Sequence, residues 1–503
     1  MQMAKTVLSL LQGAPAGATA LTAPGRRPLT FDGLRGLVTK THRQLAARGI
    51  GPGDRVAIVL PNGPEMASAF LAVASGVSAA PLNPGYKEAE YEFYLSDLKP
   101  KLVLVESGSH NPVRSVADRL GIPVAELAVA EDDPAGAFTL WADEAEPTPP
   151  SETDEALVLH TSGTTSRPKV VPLSQANLNA SANNIVATLK LTPDDHCLNV
   201  MPLFHIHGLI AVVLSSAAAG ASVCCTPGFN ALKFFHWAAD EKPSWYSAVP
   251  TMHQAILQRA ERNADLVAAL KLRFVRSSSA SLPPPVFMAL RETFGCPVIE
   301  AYGMTEATHQ MASNPLPPGE QKPGFVGMAA GPEIRIRAAD HWAATGEEGE
   351  VCIRGANVTS GYENNPQANA TGFIEGWFRT GDQGFLDDGG YLKITGRIKE
   401  IINRGGEKIS PLEVDDVLLE HPAVQQCVTF GIPHKILGEE VGVAIVLAEG
   451  QALTSGELQS FAEAKLAHFK VPKKILFLPE IPKGATGKVQ RIGLAKTLGL
   501  GDA

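Results

Sequence analysis

Strand-like and helix-like patterns alternate through the first ~400 residues, and nothing else in the chain constrains its fold as much. Residues 34–47 read as a helix, and Gly49, Gly51 and Gly53 end it before the strand-like run 55–60. Those glycines precede their strand instead of following it, which excludes a dinucleotide-binding fingerprint. A helical pattern at 65–75 leads to a short strand at 79–83, and residues 131–150, rich in Ala, Asp, Glu and Pro, read as a loop. Further strands are expected at 156–159 and 197–200, and the small, apolar run 209–219 reads as a buried helix. No repeat of solenoid period is visible. At 503 residues the chain is too long for a single core. A boundary falls at Gly396-Arg397-Ile398-Lys399-Glu400, after the strand-like 391–394. Beyond it come a helix at 411–420 with proline in its first turn, strands at 423–430 and 441–447, and a helix at 458–468. The last ~100 residues thus carry a core of their own, as a mobile domain would.

Composition narrows the function classes. A net charge of −9 argues against a general nucleic-acid binder. The six cysteines show no C-x-x-C spacing, so neither a disulfide framework nor a zinc site is indicated, and free thiols in a reducing cytoplasm are expected. No apolar run reaches the ~18 residues that span a membrane. Lys5, the apolar run 7–11 and Ala18-Thr19-Ala20 imitate a signal peptide, but Gln12 ends the run too early. The ending Gly501-Asp502-Ala503 is not a peroxisomal address.

Six segments carry chemistry. The stretch 160–169, His-Thr-Ser-Gly-Thr-Thr-Ser-Arg-Pro-Lys, leaves a strand end. Such a loop turns several N–H groups toward one concavity, and Thr161, Ser162, Gly163, Thr164, Thr165 and Lys169 add donors and a charge suited to a triphosphate. Its spacing is not that of a Walker A loop. His205 and His207 in Met201-Pro-Leu-Phe-His-Ile-His-Gly208 have the i, i+2 spacing of metal ligands but lack an evident third, so a pocket or core histidine is the better reading. In Glu300-Ala-Tyr-Gly-Met-Thr-Glu306, which follows the strand-like 297–299 and by itself reads as a strand-to-loop turn, Tyr302 offers a face for a purine and Glu306 a hard oxygen ligand for Mg2+. Asp382, after Thr380-Gly381, suits a ribose diol, or is simply an Asp in a turn. Gly396 to Glu400 is a charged turn at the domain boundary. Last, Lys488 in Gly484-Ala-Thr-Gly-Lys-Val-Gln-Arg491 sits on a Gly/Thr turn, from which it can swing into a site and neutralise developing charge.

In this order and spacing the segments resemble the adenylate-forming superfamily of acyl-CoA synthetases, peptide-synthetase adenylation domains and luciferases, from about residue 29 to 496. Residues 160–169, 301–309, 313–317 and 402–411 look most like the oxalate–CoA ligases, in which Ser166 replaces the usual glycine. Val170 departs from the family, where glycine is usual after the loop lysine. The resemblance implies an α/β fold with a large multi-layer AMP- and acyl-binding domain over 1–396, a hinge at 397–399 and a small mobile α+β domain over 400–503. It also implies two half-reactions: a carboxylate attacks the α-phosphate of ATP, and the thiol of coenzyme A then displaces AMP. Thr161 to Thr165 and Lys169 would handle the β- and γ-phosphates, Tyr302 would flank adenine, Thr305 would reach the α-phosphate and Glu306 would hold Mg2+. Asp382 would take the ribose hydroxyls with Arg397 close by, and Lys488 would bridge the acid and the α-phosphate. Lys399 would be the hinge residue, with Gly405 and Gly406 lining the pantetheine path. No prosthetic group is expected.

The acyl pocket would be walled by segments containing His205, His253, Arg276, Ser277 and His309. A long acyl chain wants small, apolar walls, whereas a second carboxylate wants cations and donors, so these residues favour a small diacid such as oxalate. Malonate, a short or medium fatty acid, an aryl acid and a carrier-protein acceptor stay open, as does a homodimer. Joint retention of Lys169, Glu306, Asp382 and Lys488 argues against a non-catalytic nucleotide-binding scaffold.

Overall fold

The structure, a computed structural model, describes residues 5–161, 168–482 and 489–500. The expected alternation becomes two mostly parallel sheets. In the nine-stranded one, Thr19–Thr22, Ser222–Cys225, His196–Asn199, Trp245–Ala248, Phe274–Ser278 and Val298–Met304 run parallel in that spatial order. Antiparallel strands close its edges: Leu29–Thr30 at one, His309–Ser313 and Met328–Ala329 at the other. In the six-stranded sheet, Val124–Leu127, Leu102–Glu106, Arg55–Val59, Ser78–Pro81 and Glu155–His160 are parallel, and Val170–Ser174 returns antiparallel. Val56, Ala57 and Ile58, like Val103, Leu104 and Val105, are fully buried, as parallel strands covered on both faces must be.

One hydrophobic core joins the two sheets through the helices packed between them. Helix Pro64–Ala74 is buried on every side, which its unbroken apolar sequence dictates. Helix Phe31–Ala46 begins where Thr30 accepts a hydrogen bond from the Gly33 N–H at 3.2 Å. The apolar run expected as a helix is one, but its first part, His207–Leu214, is π-helical before Ser215–Ala218 becomes α-helical. Gly208 sits so close to the preceding loop that a Cβ there would lie 2.5 Å from the Pro202 carbonyl oxygen.

The third sheet is antiparallel and holds Glu333–Ala338, Gly349–Arg354, Trp377–Leu386 and Leu392–Arg397. Thr380-Gly381-Asp382 therefore lies inside a strand rather than in a turn, with Gly381 at φ +75° breaking its regularity. The fourth sheet contains Glu407–Ile409, Ile402–Arg404, Gly438–Leu447, Val424–His434 and Lys474–Phe477, covered by helices Pro411–Leu418 and Ser455–Glu463. Its two core clusters draw only on residues from Ile402 onward. Gly405 and Gly406 form the two-residue turn between Arg404 and Glu407, with φ of +59° and +97°, a geometry that favours glycine at both positions.

Strand Val298–Met304 runs further than the sequence pattern suggested, because Tyr302 to Met304 pair back onto His309–Ser313. At Gly303 a Cβ would lie 2.2 Å from the His309 carbonyl oxygen. Gly303→Ala is expected to cost about 1–3 kcal/mol of stability, the usual range for overpacking, measured by urea denaturation. A variant as stable as the parent would show that the hairpin relaxes freely.

Candidate functional site

The Val298–His309 hairpin and the end of strand Glu155–His160 contribute Gly303, Met304, Thr305, His309 and His160 to the wall of one cavity. Ser162, Gly163, Thr164, Thr165 and Lys488 lie outside the described residues; the neck of the phosphate-loop candidate is described. There the Thr161 N–H donates to the Lys169 carbonyl at 2.9 Å, and the Lys169 N–H donates to the Thr161 hydroxyl at 3.3 Å. Val170 opens the return strand opposite His160 and is 6 % exposed. A β-branched residue suits that pleated, buried position, which accounts for the absence of glycine there.

Lys169 Nζ lies 4.2 Å from the centre of the Tyr362 ring. The Tyr362 hydroxyl in turn donates to Glu306 Oε1 at 2.8 Å. Burial lowers the Lys169 pKa, the Glu306 charge raises it, and the nearby Lys399 charge lowers it again. The Glu306 pKa is raised by burial, against the pull of the Tyr362 hydroxyl and the Lys169 charge. Tyr362 therefore joins the two charged groups that sequence motifs singled out, yet it lies in no motif, and no signal in the sequence marked it.

A second group lies at the junction of the first and third sheets. The Tyr302 hydroxyl donates to Asp382 Oδ2, while Arg397 Nε donates to Asp382 Oδ1 at 2.9 Å. Register explains the latter contact, since Asp382 and Arg397 are cross-strand partners. Arg397 is held firmly protonated, first by the Asp382 charge. A carboxylate has about four acceptor sites, so Asp382 retains capacity for a diol.

A small cavity of about 60 Å³ is lined by His160, His205, His207, His309, Ser279, Thr305, Met201, Ile206, Val249, Gly303 and Met304. Three of the surrounding residues hold left-handed backbone conformations without being glycine: Ser279 at φ +76°, Thr308 at +49° and His309 at +92°. His207 bonds the hydroxyls of Ser247 at 2.7 Å and Ser279 at 3.0 Å. Arg276 lies one layer behind: its Nη1 donates to His207 Nε2 at 3.5 Å and Ser247 Oγ at 3.4 Å, and its Nη2 to Gln310 Oε1 at 3.3 Å. No carboxylate is among these three partners, and Arg276 Nε is buried without a partner. Burial lowers the Arg276 pKa to about 10, which leaves the guanidinium cationic at neutral pH. Ser277 and His253 are buried but do not line the cavity. Burial pushes His253 down to about 3, so it is a neutral ring beside the Tyr246 hydroxyl.

The family model for AMP-binding enzymes matches residues 11–363, and the model for their C-terminal domain matches 413–488. The chain therefore belongs to the AMP-binding enzyme family. It is 47% identical over 485 residues to an oxalate–CoA ligase of Arabidopsis thaliana, with 94% of each chain covered. The fold matches ATP-bound MatB from Rhodopseudomonas palustris with a TM-score of 0.88 at 28% identity, covering 98% of this chain and 99% of that one. It also matches Bacillus subtilis o-succinylbenzoate coenzyme A synthetase in complex with ATP and magnesium ion, with a TM-score of 0.81 at 29% identity, covering 97% and 99%.

Glu300, at the foot of the hairpin strand, accepts the Leu282 N–H at 2.9 Å on Oε1, and its Oε2 is buried without a partner. Burial raises its pKa to about 8. The folded state thus holds a proton that the unfolded chain releases near the ordinary carboxylate value, about 4.3. The contribution of Glu300 to stability is complete below that value and is lost, at up to about 1.4 kcal/mol per pH unit, as pH rises toward about 8. Glu300→Gln should remove this slope, so that its stability relative to the parent improves steadily from pH 5 to 8 in denaturant titrations. Parallel pH profiles for variant and parent would contradict a proton on Glu300.

Proposed function

We propose that this chain activates oxalate, or a dicarboxylate of that size, as an acyl-adenylate and passes the acyl group to coenzyme A. The enzyme class is that of an AMP-forming acid–CoA ligase. The observation that carries the substrate is the cavity of about 60 Å³, lined by His160, His205, His207 and His309 and backed by Arg276. A small cavity with this polar lining suits a small, polar acid better than a long acyl chain. A buried guanidinium with no carboxylate among its side-chain partners is costly until an anion approaches, and a second carboxylate is such an anion. The name of the Arabidopsis relative supports the same acid.

In the first half-reaction a carboxylate oxygen bonds to the α-phosphorus and pyrophosphate leaves; in the second, the thiol sulfur bonds to the acyl carbon and AMP leaves. No protein nucleophile takes part, so positioning and charge neutralisation supply the rate. Lys169 offers its charge to the terminal phosphates, steadied over the Tyr362 ring. Tyr302 and Asp382 hold the nucleoside, with Asp382 oriented by Arg397. Thr305 lines the cavity at the turn beside Glu306, where it reaches both acid and α-phosphate. Glu306 suits Mg2+. Tyr362 occupies Oε1, the carboxylate is otherwise buried, and the described residues hold no cluster of three or more acidic, His or Cys ligands. An ion held by a single carboxylate and completed by phosphate and water is what Mg2+ prefers, and it would neutralise phosphate charge there. Residues 397–399 serve as the hinge between units 1–396 and 400–503, with Gly405 and Gly406 on the path of the thiol arm. All six cysteines are buried and free, which supports a reducing cytoplasm, and no described helix is long and apolar enough to cross a membrane.

The test is AMP release with ATP, Mg2+ and coenzyme A across a panel of acids. Oxalate should exceed octanoate in kcat/KM by far, and the reverse order would sink the diacid reading. Arg276→Met should cut kcat/KM for oxalate by about 100-fold while sparing that for acetate, because a cation built for a second carboxylate has no role with a monoacid. Lys488→Ala should slow adenylation by roughly 100-fold or more and leave thiolysis of supplied acyl-adenylate intact. Equal loss of both steps would contradict its assigned role.

A further inference from the structure

The segment that follows Lys488 ends on Arg491, a residue to which none of the functions above gives a task. Its side chain is 16% exposed and meets two carboxylates: Nη1 lies 2.7 Å from Asp415 Oδ2, and Nε lies 3.4 Å from Glu400 Oε2. Nη1 also donates to the Thr429 carbonyl at 3.1 Å. Asp415 is fixed independently, since its Oδ1 accepts the Thr429 N–H at 2.7 Å. Asp415 and Thr429 belong to helix Pro411–Leu418 and strand Val424–His434, the body of the C-terminal unit. Glu400 belongs to neither: it ends the short 3-10 turn Ile398–Glu400 that leads out of strand Leu392–Arg397.

The two ends of this turn are therefore held by different bodies. Arg397 is bonded to Asp382 of the third sheet, and Glu400 is paired with Arg491 of the C-terminal unit. Between them, Ile398 and Lys399 are exposed. Burial raises the pKa of Glu400 and Asp415 alike, the Arg491 charge opposes that, and the two carboxylates in turn hold Arg491 protonated.

We infer that Arg491 is a positioning residue that fastens Glu400 to the body of the C-terminal unit, so that this unit turns as one piece about Ile398 and Lys399. The inference rests on the proposed alternation between two half-reactions. Arg491 touches no substrate; it acts by confining the rotation to two residues and by carrying the segment after Lys488 with the body that rotates. Without the pairing the turn would lengthen into a loose linker, and both half-reactions would have to find their orientation from a wider set.

Glu400→Gln tests this with little change of shape, and Arg491→Lys tests whether charge alone restores the pairing. Hydrogen exchange of the amides of 398–401 should quicken about tenfold in Glu400→Gln, while strand Val424–His434 exchanges as in the parent. Both half-reactions should lose roughly 10- to 100-fold in kcat, with KM for ATP within about twofold, because orientation and not ground-state binding is lost. Arg491→Lys, which keeps the charge, should retain part of the rate that Glu400→Gln loses. Glu413→Gln, which breaks the exposed Lys470 pair in the same unit, should change neither readout. Unchanged exchange at 398–401 would overturn the inference, as would faster exchange across the whole C-terminal unit with kcat per folded molecule unaltered. A parent that releases no AMP with any acid would sink the ligase reading instead, and the exchange experiment would still decide the linkage.

Discussion

Asp382 is the residue on which the arrangement of the whole molecule turns. One of its oxygens takes the Tyr302 hydroxyl and the other takes Arg397 Nε, so a single carboxylate ties three elements together. Tyr302 belongs to a strand of the nine-stranded sheet, Asp382 to the middle of the antiparallel sheet, and Arg397 to the strand that leads into the C-terminal unit. A charge-assisted bond of this kind, in a site where the carboxylate is only 5% exposed, is worth more than a surface pair because water competes poorly for it. The edge of the large sheet, the antiparallel sheet and the strand that leads toward the C-terminal unit are therefore joined at one carboxylate.

Much of this was legible in the sequence, for identifiable reasons. Parallel strands buried on both faces leave continuous apolar runs, which is why 55–60 and 156–159 could be placed closely. Motif residues were legible because their chemistry is unusual for their setting: a lysine after a run of hydroxyls, or a carboxylate after Thr-Gly. The antiparallel returns were harder. Tyr302 to Met304 read as a loop and are a strand, because the partner that extends them, His309–Ser313, lies beyond a turn whose residues carry ordinary side chains in left-handed conformations. The π-helical geometry of His207–Leu214 left no trace in an apolar run that fits any helix. Tyr362 escaped for another reason: its role depends on the cation above its ring and the carboxylate at its hydroxyl, both distant in sequence.

The cavity proposed for the acid has a wall of histidine rings, and Arg276 behind it remains cationic despite its burial. Placing the permanent charge in the second layer keeps the cavity small while still setting its potential. His253 illustrates the limit of the pattern. It belongs to a wall segment by sequence, yet burial holds it neutral, so it offers packing and a hydrogen bond where the sequence suggested charge. A histidine's usefulness to an anion depends on how much water it retains, and sequence does not record that.

Lys399 lies in the turn between the third sheet and the C-terminal unit, and its charge makes protonation of Lys169 harder. Glu306 offsets this only in part, because its own charge is disfavoured by burial. Two like charges brought together across a hinge push it open unless an anion lies between them, and a polyphosphate is such an anion. On the proposed reading, a bound polyphosphate would attract both lysines and its departure as pyrophosphate would restore their repulsion, so the chemistry itself would bias the turning of the proposed hinge.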